Sequence, residues 1–469
     1  METEERGLVY GSAQGRGVLW ATVLGSGLGY LDGTIVNVAL PHIGADLGAG
    51  LVALQWTVNG YALALSGLLL LGGSLGDRVG RRRIFVLGTV WFTLASIGCA
   101  LAPTAGLLIA MRVLQGVGAA LLTPGSLAIL QSVFRPSDRA RAVGAWSGLG
   151  GVATALGPLV GGVLIGVAGW GWRLAFAINL PIAAAVVWLA RRYLPESRDP
   201  QASGRLDVLG TTLAAVGLAG VVYGLTEGPP SGWSPPAVVA LAAGAVLLVA
   251  FVVSQARVAN PLLPLGLFAN RQFSGANLST LLVYAALGGS MFLLPVQLQQ
   301  VSGFSAVAAG AATLPFTAVL MLFSSRVGAW STRIGPRLPM TIGPVLAGAG
   351  MAMLAWIGAD ARYLTAVLPG VLVFSVGMTI TIAPLTATVL AAAPTRQAGV
   401  ASAINNDVSR VAGLLAVAVL PGLAGITPAA YADPAALSAG FSRAVIFCGA
   451  LCAAGGVLAA LTIRNEPAR

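Results

Sequence analysis

The stretch GSLGDRVGRRR, residues 73–83, decides the fold, because it returns later in the chain as GAWSTRIGPRL, residues 328–338. At a shift of 255, Gly73 matches Gly328, Arg78 matches Arg333, Gly80 matches Gly335 and Arg82 matches Arg337, while Asp77 becomes Thr332. Each copy lies between long apolar segments. Two related halves of this kind are the plan on which alternating-access transporters are built.

Composition agrees with a membrane chain. Of 469 residues, 57% are hydrophobic and only 9% charged, with a mean hydropathy of +0.87; a soluble domain carries about 25% charged residues. The 63 glycines fit membrane helices, which use glycine freely. A net charge of +11 would suit nucleic acid, but the basic residues are spread over short loops between apolar spans. All 26 basic residues are Arg. The lack of Lys excludes Schiff-base chemistry and a Walker phosphate loop, so the chain is not expected to drive transport with ATP by itself. Cys99, Cys448 and Cys452 lie in apolar spans and read as small hydrophobes. Cys448 and Cys452 share a helix face with nothing nearby to complete a metal site. His42 is the single His, which argues against a zinc centre or a His-based triad. The expectation is a non-enzyme with no metal and no cofactor. The acidic start, METEERG, differs from the basic start of a secretory signal, so the first span is read as a retained helix.

Fourteen spans can be drawn, near 17–40, 51–73, 84–102, 105–130, 141–166, 172–191, 207–226, 236–256, 272–299, 305–329, 338–358, 363–391, 397–424 and 440–463. The fold class expected is an all-α membrane protein: two six-helix bundles plus two extra central helices. The domains are 1–200, an insert with its linker at 201–270, and 271–469. Loops after even-numbered spans carry seventeen Arg, among them Arg78, Arg81, Arg82, Arg83, Arg205 and Arg396; the opposite loops carry Arg173, Arg362 and Arg443. The positive-inside rule then puts both termini in the cytoplasm, with the chain in the cytoplasmic membrane. Trp20, Trp188 and Trp330 near the inner edge, and Trp56, Trp170, Trp172, Trp233 and Trp356 near the outer, read as interfacial anchors. The segment NPLLPLGLFANRQF (260–273) reads either as a cytoplasmic interfacial helix or as an unstructured linker.

The first span closes on LDGTIVNVALP, residues 31–41. About 20 apolar residues cross a bilayer, and this segment is long enough, yet it holds Asp32. A carboxylate there costs roughly 2.5–3.5 kcal/mol on insertion scales. It is tolerated against a partner or a wet cavity. Gly25, Gly29, Asp32 and Val36 share one helix face, and the glycines let another helix or a ligand come close. Asp32 reads either as an interhelical hydrogen-bonding group or as a proton-titrating site in a transport pathway.

Taken in order, these motifs resemble the major facilitator superfamily, specifically its fourteen-helix drug:proton antiporter branch. LDGTIVNVALP resembles that branch's first-helix motif, and GSLGDRVGRRR the superfamily's loop between helices 2 and 3. LIAMRVLQGVGAA (108–120) is similar to the fourth-helix motif with its buried Arg. ATALGPLVGG (153–162) resembles the fifth-helix antiporter motif, and WRLAFAINLP (172–181) the sixth-helix signature. The resemblance implies that Asp77, Arg78, Gly80 and Arg81 form an inner latch in the outward-facing state. It also implies that Gly157, Pro158, Gly161 and Gly162 form a hinge that seals the cavity in exporters. Physically, a Pro inside a helix bends it and small residues let helices pack closely.

A buried Arg is almost always paired. Asp32 is the natural partner of Arg112, with Gln115 three residues on. Burial favours a neutral carboxyl and an adjacent Arg the charged form, so a site that exchanges Arg contact for water changes its proton affinity. In this scheme Asp32 takes a proton outside as substrate leaves, and gives it up inside. In INNDVSR (404–410), Asp407 either pairs with Arg410 or is a second carboxylate facing cationic substrates or protons. Asp32, Arg112 and Asp407 are thus the proton-coupling candidates. Asn37, Asn59, Gln115, Tyr284, Gln297, Asn405 and Asn406, with Asp32, are candidates to line the substrate cavity; Gln55, Asn179 and Asn277 are further polar groups within spans. Asp207 reads as the start of span 7, and Glu227 as solvated.

The function expected is proton-coupled efflux of amphipathic, cationic drugs or other toxic small molecules by alternating access, with export of a specific metabolite, antibiotic or lipid as the alternative. The expected partners are a small-molecule substrate and the lipid bilayer, without nucleic acid, and the chain is expected to be a monomer.

Overall fold

The computed structural model describes residues 7–199, 206–258, 261–394 and 397–465; Met1–Arg6, Arg205 and Arg396 lie outside the described residues. Fourteen helical segments in it are long and apolar enough to cross a membrane, at the positions read from the sequence. Among the described residues the β structure is one isolated bridge, Leu8 with Phe134. A helix satisfies its own backbone groups, as a chain in lipid must.

The first unit, up to Ala49 and from Trp56 to Ala219, holds α1 (Ala13–Leu47), most of α2 (Leu51–Val79), α3 (Arg81–Ala100), α4 (Ala105–Val133), α5 (Pro136–Gly166), α6 (Trp172–Ala177) and α7 (Asn179–Tyr193). It also takes the start of α8 (Val208–Glu227). The second unit, Gly50–Gln55 and Gly220 onward, holds α9 (Pro235–Gln255), α10 (Arg271–Val296), α11 (Ala306–Ala311), α12 (Leu314–Ile334), α13 (Arg337–Met353), α14 (Leu368–Ala391), α15 (Ala398–Leu423), α16 (Pro428–Ala432) and α17 (Pro434–Thr462).

Helix ends follow capping chemistry. Ser12 Oγ accepts from the Gly15 N–H at 3.0 Å to start α1, and Gly48, at φ 59°, stops it with a left-handed turn. Thr104, Asn270 and Asp433 cap α4, α10 and α17 with their side chains. Asp207 Oδ1 accepts from the Gly210 N–H at 2.8 Å at the head of α8, where the sequence places a helix start. Glu227 closes α8 and is partly buried rather than solvated.

Two further expectations change. Residues 261–273 do not form an interfacial helix: a single 3₁₀ turn, Leu265–Ala269, leads straight into α10, with Leu267 buried in the core beside Phe273. Pro261 and Pro264 leave no run of apolar residues long enough for a surface helix. Trp172 is not an interfacial anchor. It is fully buried, and its indole N–H donates to Asp46 at 2.9 Å. Arg173 supports the same knot, reaching Asp46 at 3.3 Å and the carbonyls of Ala100 and Ala102 at 2.9 and 2.8 Å. Trp20, Trp188 and Trp356, by contrast, are well exposed on the apolar surface.

The repeated loop folds alike in both units. Gly80 and Gly335 both have positive φ, 132° and 82°. A Cβ on Gly80 would lie 2.6 Å from Glu196 Oε1, and one on Gly335 2.3 Å from Asn465 Oδ1. The Arg82 N–H donates to Glu196 Oε1 at 3.0 Å, and the Arg337 N–H to Asn465 Oδ1 at 3.1 Å. Their guanidinium groups donate to the Leu194 and Ala460 carbonyls, near the ends of α7 and α17. Glu196 and Asn465 each follow three residues after the end of their helix, Tyr193 or Thr462. So one side-chain oxygen, arriving from the last helix of each half, caps the helix after the loop glycine. The acid that meets the N-terminus of α3 is therefore Glu196. Asp77 stands in the last turn of α2 and pairs with Arg81 at 2.8 Å.

This symmetry makes a prediction. Glu196→Gln keeps the capping oxygen and is expected to hold thermal stability in detergent within about 0.5 kcal/mol. Glu196→Ala removes it and is expected to cost about 1 kcal/mol, as lost caps do. Equal melting points for the two variants contradict the capping role.

Candidate functional site

Five polar side chains meet inside the first unit: Asp32 of α1, Ser96 of α3, Arg112 and Gln115 of α4, and Asn179 of α7. Each is 0–1% exposed. Arg112 Nη1 donates to Asp32 Oδ2 at 2.5 Å and to Gln115 Oε1 at 2.6 Å. Its Nε donates to the Thr57 carbonyl at 2.9 Å. Gln115 Nε2 donates to Asp32 Oδ1 at 2.8 Å and to Ser96 Oγ at 2.7 Å. Asn179 Nδ2 donates to the same two oxygens at 3.3 and 3.1 Å. The guanidinium lies over the Tyr61 ring, 4.3 Å from its centroid, and the Cys99 thiol is 3.8 Å from Gln115 Oε1.

The sequence explains why this cluster can close. Gly25 and Gly29, on Asp32's face of α1, admit neighbours: a Cβ on Gly25 would meet Phe85 Cζ at 2.4 Å, and one on Gly29 would lie 3.5 Å from Tyr61 Oη. On α5, a Cβ on Gly157 would fall 1.9 Å from Thr34 Oγ1, and one on Gly161 3.0 Å from Ile35 Cγ2. These glycines seat α5 directly on α1. Pro158 lies within continuous α5, and Gly162 is buried. Energetically, an ion pair out of water is held by completing its hydrogen bonds. Asp32 accepts three and Arg112 donates three.

The remaining candidates are scattered. Asn59 is fully buried with no hydrogen-bond partner on either amide atom, and Asn37 Oδ1 is likewise buried and unpartnered. Gln297 ties α10 to the Ile357 carbonyl at 2.8 Å and to Ser438 at 3.2 Å, so it serves packing within the second unit. Asn405 Nδ2 donates to Thr280 Oγ1 at 2.8 Å and Asn277 Oδ1 at 3.2 Å. Asn406 is exposed and bonded to the Ser402 carbonyl, and Tyr284 packs against the apolar core around Phe273. The Asp407–Arg410 pair allowed by the sequence is not formed. Among the described residues no ion pair joins them, and Asp407 Oδ1 is buried without a hydrogen-bond partner.

Sequence reasoning puts Arg112 and Gln115 beside Asp32 but does not place Asn179 or Ser96 there. A Ser in a membrane helix is too common to stand out. Asn179 is legible as a polar group in an apolar span, without its partner.

The fold is that of known transporters. The Major Facilitator Superfamily model matches residues 22–418, and the chain belongs to that family. It is 39% identical over 409 residues to the puromycin resistance protein of Streptomyces alboniger, covering 86% of this chain and 80% of that one. It is 35% identical to the multidrug resistance protein Stp of Mycobacterium tuberculosis, covering 85% of this chain and 74% of that one. A bacterial homologue of the human lysosomal transporter Spinster superposes with a TM-score of 0.68 at 19% identity, covering 95% and 96% of the two chains.

The buried pair makes a test of its own. Arg112→Met leaves Asp32 buried and uncompensated and is expected to cost about 3–5 kcal/mol. Asp32→Asn combined with Arg112→Met is expected to recover most of that in thermal unfolding in detergent. A double variant as unstable as Arg112→Met alone means the loss comes from packing around the Arg.

Proposed function

We propose that this protein exports amphipathic, cationic small molecules in exchange for protons, its two halves alternately opening a path to each side of the cytoplasmic membrane, with both termini in the cytoplasm. The relatives are resistance proteins named for an antibiotic or for multiple drugs, which supports export of toxic small molecules. The observation that carries proton coupling is the Asp32–Arg112 pair, an acid and a guanidinium in contact and sealed between two apolar spans. A purely structural helix contact would need no charge there, since well-packed apolar residues serve as well or better.

In the conformation described, Asp32 is closed to solvent. Proton exchange therefore requires a second conformation in which the carboxyl group meets water. The proton is taken from the outer side as substrate leaves and released to the inner side before substrate binds again. Asp407, with an unpartnered buried oxygen, supplies the negative charge that favours cationic substrates. The Asp77–Arg81 pair, with Arg78 and Gly80, acts as a latch whose few kcal/mol bias one state over another. No nucleotide, metal or organic cofactor takes part, and the chain works as a monomer.

The decisive experiment uses protein reconstituted in proteoliposomes with an imposed proton gradient and ethidium as the transported cation. Gradient-driven ethidium accumulation is expected, collapsing with a protonophore. Asp32→Asn is expected to reduce it to the level of protein-free liposomes while ethidium binding persists. Undiminished proton-driven accumulation by Asp32→Asn refutes the coupling role. A panel extending to neutral and zwitterionic antibiotics separates a broad exporter from one dedicated to a single compound.

A further inference from the structure

The amides around Asp32 are not equivalent. Both hydrogens of Gln115 Nε2 are committed, to Asp32 Oδ1 and Ser96 Oγ, and its Oε1 accepts from Arg112 Nη1 at 2.6 Å. Turning that amide over would break its bond with Arg112. Asn179 uses its Nδ2 toward the same two oxygens, with the longest of the three bonds to the carboxylate, 3.3 Å. Its Oδ1 is buried and has no partner. Asn179 lies in the single membrane-crossing helix formed by α6 and α7, which runs on through Ile178 at helical dihedrals.

A carboxylate accepts hydrogen bonds, whereas a protonated carboxyl must also donate one. With Oδ2 held by Arg112, the proton goes to Oδ1, where it faces two N–H donors and no acceptor. We propose that Asn179 is the positioning residue for proton exchange at Asp32: as it stands its amide nitrogen donates to the charged carboxylate, and once Oδ1 is protonated the amide turns over so that its oxygen accepts from the new O–H. This rests on the coupling role proposed above for Asp32. In the turned state Asn179 Oδ1 occupies the place of Nδ2, within reach of both the carboxyl hydrogen and the Ser96 hydroxyl. One amide atom of Asn179 lacks a partner in either state, so the turn leaves that count unchanged. The proton comes from hydronium when the site opens, an O–H bond of the hydronium breaking to leave water. The covalent bond that forms is O–H on Oδ1. Both N–H···O hydrogen bonds from Asn179 break, to Asp32 Oδ1 and to Ser96 Oγ, and are replaced by O–H···O bonds from the carboxyl group and the Ser96 hydroxyl to Asn179 Oδ1, while the Arg112 bond to Oδ2 is kept throughout.

Few other groups bear on this titration. Arg112 and, beneath its guanidinium, Tyr61 approach from α4 and α2, and Cys99 approaches Gln115 from α3. The helices α5, α6 and α7 carry their charges only in end turns, at Asp138, Arg139, Arg141, Arg173, Arg191 and Arg192.

The test is infrared difference spectroscopy of the purified full-length protein during acidification. The Asp32 carboxyl C=O band is identified by its absence in Asp32→Asn. The wild type is expected to show this band at acid pH. In Asn179→Leu, which offers neither donor nor acceptor, the band is expected at higher wavenumber, because the acid O–H has no acceptor there. In Asn179→Thr, whose hydroxyl can turn to donate or accept, it is expected to return toward the wild-type position. Gradient-driven ethidium uptake across a pH series is expected to follow the same order, Thr above Leu. A band at the same wavenumber in wild type and Asn179→Leu overturns the inference while leaving Asp32 as the coupling acid. A wild type with no titrating Asp32 band instead removes the coupling role itself, and this inference with it.

Discussion

A charge that has left water must have every lone pair answered, and the first unit is arranged around that demand at Asp32. Four helices contribute: α1 the acid, α4 the guanidinium and one amide, α3 the Ser96 hydroxyl, α7 the second amide. Each must come within hydrogen-bond distance of the same few atoms, so their approach is fixed to tenths of an ångström. The glycines on α1 and α5 follow from this. Gly25 and Gly29 make room on Asp32's own face for Phe85 and Tyr61, and Gly157 and Gly161 bring α5 onto α1 at Thr34 and Ile35. Electrostatics sets the distances and small residues make them reachable.

Most of the architecture was legible because membrane helices announce themselves. Backbone satisfaction in lipid forces each crossing to be a long apolar run, so fourteen spans could be counted and found where expected. The site was legible in part for a related reason: an Asp and an Arg in apolar spans have to find each other. What composition cannot supply is the rest of the shell. Asn179 joins it from the helix packed on α1 and α3, and Ser96 because α3 packs closely on α4, where a Cβ on Gly88 would lie 2.8 Å from the Leu122 nitrogen. Trp172 misled for the converse reason. A Trp at a span's edge suits the interface, but this one has an acceptor, Asp46, that draws its indole inward.

The loop repeat shows which features are geometric and which are chemical. Both copies keep a glycine with positive φ, a side-chain oxygen on the second Arg's N–H, and that Arg's guanidinium on a carbonyl at the end of the final helix. These parts turn the chain from one helix into the next, and any other residue at Gly80 or Gly335 would strain the backbone and strike the cap. The negative charges are not kept. Asp77 becomes Thr332, and the capping carboxylate of Glu196 becomes the neutral amide of Asn465. The negative groups are thus additions to a loop that folds without them.

The same divergence runs through the interior. At the loop's shift of 255, Asp32 corresponds to Leu287, so the second unit has no acid at that place. Its helices are joined instead by neutral groups, Asn405 to Asn277 and Thr280, which hold the same hydrogen bonds at any pH. A network of amides and hydroxyls can be satisfied permanently, whereas a carboxylate network is complete in only one protonation state. Within the second unit, Asp407 breaks this pattern, with a buried oxygen that has no hydrogen-bond partner. An unanswered acceptor is costly once it has left water. In the exchange we propose, that missing partner is a cation, a proton or a substrate, bound during part of the cycle and released in the rest.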